Sequence, residues 1–193
     1  MKKKTLLIVS MLVLVMFALT ACGSKSPKSV VEDNLKQIKT EKTSSNVSKL
    51  FNDKTLEQKY GKEYDKFIKK VQDFDYEVKD EKIDGKKATV KVEIKTYDFG
   101  AAYKTTYDTV VADAKSGKIT ATTDIKDYVY NLMFQNLNSV KDKSYKKTVT
   151  INCKKNDKGE WTTDINSNVD FLEAMLGGMF TAIKSVQAGQ AAQ

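Results

Sequence analysis

The chain predicts an α+β fold in which an antiparallel sheet of two hairpins packs on N-terminal helices. A helical pair is inserted between the hairpins, and a helix closes the chain. Three observations carry this. The apolar period switches from 3.6 to 2 in two separate places, near residues 74–94 and 145–165. Each alternating stretch is folded about turn residues, Asp84-Gly85 in the first and Asn156-Asp157-Lys158-Gly159 in the second. Helical stripes precede, separate and follow them, and strands grouped apart from helices make an α+β rather than an alternating α/β chain.

In chain order, the first segment reads as an address. Lys2, Lys3 and Lys4 precede an apolar run from Leu6 to Leu19 that only Ser10 interrupts. At about 14 residues it is too short for a bilayer span, which needs about 20, and it fits the apolar region of a signal peptide. Leu19-Thr20-Ala21-Cys22 follows. This resembles the lipobox of a bacterial lipoprotein signal. The resemblance implies cleavage between Ala21 and Cys22 and a diacylglycerol on the Cys22 sulfur. Residues 1–21 are then a signal peptide, and residues 22–26 a lipidated cysteine with a short polar tether. Each buried CH₂ of such a lipid contributes about 0.8 kcal/mol, so two or three acyl chains hold stably. The partner so implied is a membrane, and the expected place is its extracytoplasmic face.

Residues 27–187 form one domain with no Pro/Gly-rich linker. Ser26-Pro27 opens a helix, Ser as cap and Pro at the first helical position. Val30, Val31, Leu35 and Ile38 give it an apolar face. A second helical stretch carries Val47, Leu50 and Phe51, and a third runs from about Gly61 to Val71. Phe74, Tyr76 and Val78, then Ala88, Val90, Val92 and Ile94, are the apolar sides of the first hairpin. A helix with Phe99, Tyr103, Tyr107, Val110, Val111 and Ala114 follows and ends at Ser116-Gly117. The next carries Ile125, Tyr128, Val129, Leu132, Met133, Leu137 and Val140. Val149, Ile151 and Cys153, then Trp161, Thr163 and Ile165, make the second hairpin. Ser167 to Asp170 resembles a capping box for one last helix with Val169, Leu172, Leu176, Met179, Ile183 and Val186. Residues 188–193 are expected to be a disordered tail.

Composition prunes the chemistry. The net charge is +8, and the three signal lysines account for part of it, leaving +5 on the mature chain. Every basic residue is Lys, and there is no His. Arg is the side chain suited to bidentate phosphate and base-edge contacts, and His is the usual general base and a frequent metal ligand. Nucleic-acid binding, zinc chemistry and His-dependent triads are therefore poor expectations, and no metal or cofactor is expected. The lysines alternate with acids rather than forming a block, the pattern of a solvated surface. With Cys22 lipidated, Cys153 is unpaired; its place in the Val149, Ile151, Cys153 alternation makes it a small core residue.

The order of motifs is similar to that of small extracellular lipoproteins of Gram-positive bacteria that carry a nuclear-transport-factor-2-like (cystatin-like) domain of unknown function. It rests on the lipobox, on 74–78 followed by 83–92, on Thr96-Tyr97-Asp98-Phe99-Gly100, and on Trp161 followed by Asp170-Phe171-Leu172 and Gly177-Gly178. The resemblance implies a curved sheet wrapped over helices, often with a cavity inside the cone, and it implies no activity. The helical pair is an insertion relative to the minimal fold.

Some proteins of that broad superfamily are isomerases or dehydratases that use Asp with Tyr or His inside the cone. Here Asp75, Glu77, Glu93 and Asp164 fall on the polar alternation, and no carboxylate interrupts the apolar one. The reading from sequence is a lipid-anchored, non-catalytic protein binding a small ligand or another envelope protein. The alternatives are an isomerase or hydratase in the same fold and a structural surface protein. Asp73, Asp75 and Glu77 read as a solvated stripe before a cation site, since their spacing matches no calcium loop. Tyr97, Tyr103, Tyr107 and Trp161 are the candidate binding pocket, against the alternative that these aromatics are core packing. Gly177-Gly178 within the last helix is expected to mark a close helix–sheet crossing.

Overall fold

The structure is a computed structural model that describes residues 25–40 and 54–191. The lipobox with Cys22, and the helical stretch of Val47, Leu50 and Phe51, lie outside the described residues. The elements are α1 (Pro27–Thr40), α2 (Lys54–Gln72), β1 (Asp75–Asp84), β2 (Lys87–Thr96), α3 (Phe99–Lys115), α4 (Ile125–Ser139), β3 (Tyr145–Lys155), β4 (Trp161–Thr163), α5 (Val169–Met175) and α6 (Met179–Ala191). The architecture is the expected α+β one. The four strands form one curved, open antiparallel sheet in the order β1-β2-β3-β4.

The first hairpin closes on a two-residue Gly85-Lys86 loop. Asp84 pairs with Lys87, and Gly85 has φ 57 while no non-glycine residue among the described ones has a positive φ. A Gly at the first loop position, and only there, is the type II′ pattern that matches strand twist. Lys87 also pairs with Lys154, and Lys155 with Trp161. Both hairpin turns therefore lie side by side at one end of the sheet. A register shift between Val78 and Glu81 bends β1.

One sheet face is the core. Ala88, Val90, Val92, Ile94 and Thr96 of β2 and Val149, Ile151 and Cys153 of β3 are all buried. α1 and α5 cover this face, while α2, α3, α4 and α6 pack on one another. Phe74 meets Phe171 edge-on with ring centroids 6.4 Å apart, and Phe67 meets Phe99 at 5.3 Å. Burying each such side chain contributes about 1.5–3 kcal/mol. The other face is open to solvent.

α1 starts as expected, the Ser29 N–H donating to Ser26 Oγ at 3.1 Å. It lies along β1. The Lys28 N–H donates to the Glu81 carboxylate at 2.6 Å, and Lys28 Nζ donates to the Lys79 carbonyl at 3.2 Å. At its other end Gln72 Nε2 donates to the Ile38 carbonyl at 3.2 Å. The start of α1 therefore lies toward the two turns.

Several expected boundaries move. α2 begins at Lys54 and carries a break at Gly61 (φ 5, ψ −81), so Gly61 interrupts a helix instead of starting one. The buried side of α3 is Phe99, Gly100, Ala102 and Thr106, with Tyr103, Tyr107, Val110 and Val111 half-buried and Ala114 exposed. Small residues face inward there because the neighbouring backbone comes very close, which displaces the larger side chains to the border. On α4 the buried residues are Phe134 and Leu137, and Ile125 is exposed. The cap of α5 is Asn168, whose side chain accepts from the Phe171 N–H at 3.0 Å, one residue after the expected Ser167. β4 ends at Thr163, and Ile165 is buried beyond it.

The largest correction concerns the single last helix. It is two helices, because Gly177 (φ 52) and Gly178 (φ 80) both take left-handed backbone. The Gly178 N–H donates to the Glu173 carbonyl and the Gly177 N–H to the Ala174 carbonyl, the paired closure that ends a helix on glycine. The expected close approach is there, but it is to the start of α3 rather than to the sheet. The Gly100 N–H donates to the Gly177 carbonyl at 2.9 Å. α6 then runs to Ala191, into the stretch expected as a tail.

Thr96 gives a direct test of this packing. It is fully buried, and its hydroxyl has no partner among the described residues. A buried, unpaired hydroxyl costs free energy that an isosteric methyl does not. Thr96→Val is expected to stabilise the domain by about 1 kcal/mol. A higher urea midpoint with an unchanged slope is the expected reading, and a lower midpoint would contradict an unpaired hydroxyl.

Candidate functional site

One recess lies on the open face, next to the two turns. It is a groove of about 630 Å³ lined by Lys82 and Asp84 of β1, Lys87, Ala88 and Thr89 of β2, Asn152, Cys153 and Lys154 of β3, and Thr162, Thr163 and Asp164 at β4. The register assembles it. Lys82 pairs with Thr89 and Thr89 with Asn152, while Asp84 pairs with Lys87, Lys87 with Lys154 and Lys154 with Thr162. Two cross-strand rows of polar side chains thus stand on the same face. Asp164 closes the far side, with Oδ1 accepting from the Asn152 N–H at 3.0 Å and Oδ2 from Asn152 Nδ2 at 2.7 Å.

The charges here differ from those on the rest of the face. Lys79 and Lys146 both grip Glu93 at 2.7 Å, and Lys91 approaches Asp80 at 3.9 Å. The bonds from Lys146 and then Lys79 hold the Glu93 carboxyl below the usual carboxylate range. By contrast, Lys82, Lys87 and Lys154 have no carboxylate within 4 Å among the described residues. Three ammonium groups against the two carboxylates of Asp84 and Asp164, beside Thr and Asn donors, leave a net positive groove that suits an anion bound by point charge rather than by a planar fork.

The candidate aromatics do not form this groove. Trp161 is buried on β4, with Lys155 Nζ 5.1 Å from its ring centroid. Tyr97 stands at the entry to α3. Its hydroxyl donates to Asp73 at 2.7 Å, and Lys70 Nζ lies 4.8 Å over its ring. Tyr103 and Tyr107 are half-buried on α3. None of the four lines the 630 Å³ groove or the two smaller recesses of about 300 and 330 Å³ beside α3.

Tyrosine hydroxyls instead bond to aspartates at three places, each with a lysine. Tyr97 and Lys143 hold Asp73; Tyr60 and Lys59 hold Asp127; Tyr128 and Lys118 hold Asp113. Burial acts to raise the Asp73 carboxyl, but the bonds from Lys143 and Tyr97 outweigh it and leave it lowered. The bonds from Lys59 and Tyr60 lower Asp127, and those from Tyr128 and Lys118 lower Asp113. On the other side of one pair, burial and then the bond to Asp127 push the Tyr60 phenol up to about 12. These carboxylates stay ionised at neutral pH, whereas an Asp–Tyr oxyanion site needs a carboxylic acid kept protonated.

The acidic stripe already holds a cation of the chain itself. Lys143 Nζ lies 2.9 Å from Asp73 and 3.0 Å from Asp75. Among the described residues no group of three or more Cys, Asp or Glu is placed to hold a metal ion. Cys153 is buried as expected, and burial, with the Asp164 and Glu81 carboxylates, pushes its thiol up to about 11.

Two groups of residues were not singled out from the sequence. Lys82, Lys87 and Lys154 read as ordinary polar alternation, and only the pairing of β2 with β3 brings them together. Glu173 sits in an apolar run yet is buried, its carboxylate accepting from the Phe180 N–H at 2.9 Å, the Thr181 N–H at 3.1 Å and the Thr181 hydroxyl at 2.5 Å. It caps the start of α6 from within α5. A Glu four to six residues before a helix start, interrupting an apolar stripe, was the available signal.

No family model matches this chain, and no curated protein matches it. Among solved structures it is similar to a candidate lipoprotein, ycdA, of Bacillus subtilis subsp. subtilis str. 168, at 18% sequence identity and a TM-score of 0.43. The match covers 78% of this chain and 47% of that one, so this chain spans about half the length of that protein.

Proposed function

We propose that the mature chain is a lipid-anchored protein of the extracytoplasmic membrane face that binds a small anionic ligand, without catalysis, in the groove on its open sheet face. The observation that carries the ligand site is the set of three lysines, Lys82, Lys87 and Lys154, which have no carboxylate within 4 Å among the described residues and outnumber the groove's Asp84 and Asp164, while Lys79 and Lys146 on the same face are neutralised by Glu93. The volume of about 630 Å³ is in the range of small-molecule sites. The lipobox Leu19-Thr20-Ala21-Cys22 supports the anchor. The same sequence signal, with the order of helices and hairpins, supports a place among Gram-positive lipoproteins with a nuclear-transport-factor-2-like domain. The non-catalytic reading draws support from the ionised state of the Asp–Tyr pairs.

The anchor is tested by Cys22→Ser in cells fed a labelled fatty acid. The parent chain is expected to carry label and to stay with membranes through salt and alkali washes. The variant is expected to carry none and to leave the membrane fraction. A variant that stays through both washes would refute the lipid anchor.

A further inference from the structure

Among the described residues, the start of α1 and the groove are on the same end. The chain from Cys22 to Ser26 reaches at most about 14 Å when extended. It leads into α1, whose first residues are fastened to β1 next to the groove wall: the Lys28 N–H bonds Glu81 and Lys28 Nζ bonds the Lys79 carbonyl, while Lys82 lines the groove. The two hairpin turns lie just beyond, bringing Lys86 and Lys158 to the same end. The helical pair attaches at the opposite end, α3 following the last residue of β2 and α4 leading into β3.

We propose that this end docks on the anionic lipid surface in which the chain is anchored, with the groove of Lys82, Lys87 and Lys154 receiving a phosphodiester headgroup and the helical pair facing away from the membrane. The inference rests on the lipid anchor and on the groove as the binding site. The turn end carries Lys82, Lys86, Lys87, Lys154, Lys155 and Lys158 against Glu81, Asp84, Asp157, Glu160 and Asp164; Glu81 accepts from the Lys28 N–H, and Asp164 has both oxygens occupied by Asn152. Lysines attract an anionic leaflet within about a Debye length, roughly 8 Å at 0.15 M salt. A tether of at most about 14 Å holds the end within about two Debye lengths of the surface. It also makes docking intramolecular, so that a weak contact is populated without high affinity. The far end of the open face gives an internal control: Lys95 is exposed on that face, but it pairs with Asp75 and Lys146 eight residues from Lys87.

The test uses the lipidated mature protein on vesicles of pure phosphatidylcholine or of phosphatidylcholine with phosphatidylglycerol, and reads the acetylation rate of individual lysines by mass spectrometry. On phosphatidylglycerol, Lys82, Lys87 and Lys154 are expected to react at least 3-fold more slowly than on phosphatidylcholine, with Lys95 unchanged and the difference abolished in 1 M salt. Equal rates on the two surfaces, or equal slowing at Lys95, would overturn end-on docking. A third arm adds soluble glycerol phosphate to the protein on phosphatidylcholine. Slowing in that arm alone would leave the groove as an anion site and overturn the membrane as its source; no slowing in either arm would overturn both. Failure of the protein to float with vesicles at all would overturn the anchor and the docking together.

Discussion

Gly177→Ala is expected to lower the stability of the domain by about 3–5 kcal/mol, since overpacking and a left-handed backbone conformation each cost a non-glycine residue about 1–3 kcal/mol. A Cβ at Gly177 would stand 1.9 Å from the Tyr97 carbonyl oxygen and 2.9 Å from the Phe99 nitrogen, and φ there is 52. Both neighbours are backbone and cannot swing away. Relief would require parting the start of α3 from the α5–α6 turn, which breaks the Gly100–Gly177 hydrogen bond. Thermal unfolding should shift down by about 10 °C, at roughly 3 °C per kcal/mol for a chain of this size. Gly117→Ala is the control. Its φ is 75 but its Cβ meets nothing within 4 Å, so only the conformational cost of about 1 kcal/mol applies. Equal losses for the two variants would contradict the close crossing.

Glu173→Ala is expected to cost about 2 kcal/mol, because it leaves the Phe180 and Thr181 N–H groups without their acceptor in a part-buried site. The carboxylate also stands at the positive end of α6, where a negative charge is favourable. Glu173→Gln keeps one acceptor oxygen and loses the charge, so about half the cost is expected. Urea unfolding of the two variants checks the order, and an Ala variant as stable as the parent would contradict the cap. Helicity should fall mainly at α6, read as faster amide exchange over 179–186.

These two sites also show where the sequence was legible and where it was not. Alternation about Asp84-Gly85 and Asn156–Gly159 located both hairpins, because a two-fold period interrupted by turn residues fits paired strands and little else. The break at Gly177-Gly178 was hidden by a stripe from Val169 to Val186 that fits one continuous helix. The glycines there serve a contact with Tyr97 and Gly100, and a contact across nearly eighty residues has no local signature. The same holds for Glu173, whose partners belong to the next helix.

The aromatic candidates illustrate a different limit. Tyr97, Tyr103, Tyr107 and Trp161 share a composition suited to a cleft, yet their elements take them to separate places. Tyr97 bonds Asp73 at one end of the sheet, and Trp161 lies beside the turn at the other. The groove lay in residues that look like a solvated face. Alternation told that Lys87 and Lys154 point away from the core, but not that the register sets them opposite each other. Nor did it tell that Glu93 would neutralise Lys79 and Lys146 and leave these two unpaired.

The measurement that tests the central reading most directly is native mass spectrometry of the mature chain carrying Cys22→Ser, after exposure to extract of its own cells. The account predicts a discrete added mass of an anionic small molecule on the parent and its loss from a Lys87→Glu, Lys154→Glu variant that unfolds at the same urea concentration. A clean apo mass, or an added mass that the variant keeps, would contradict the groove as the binding site.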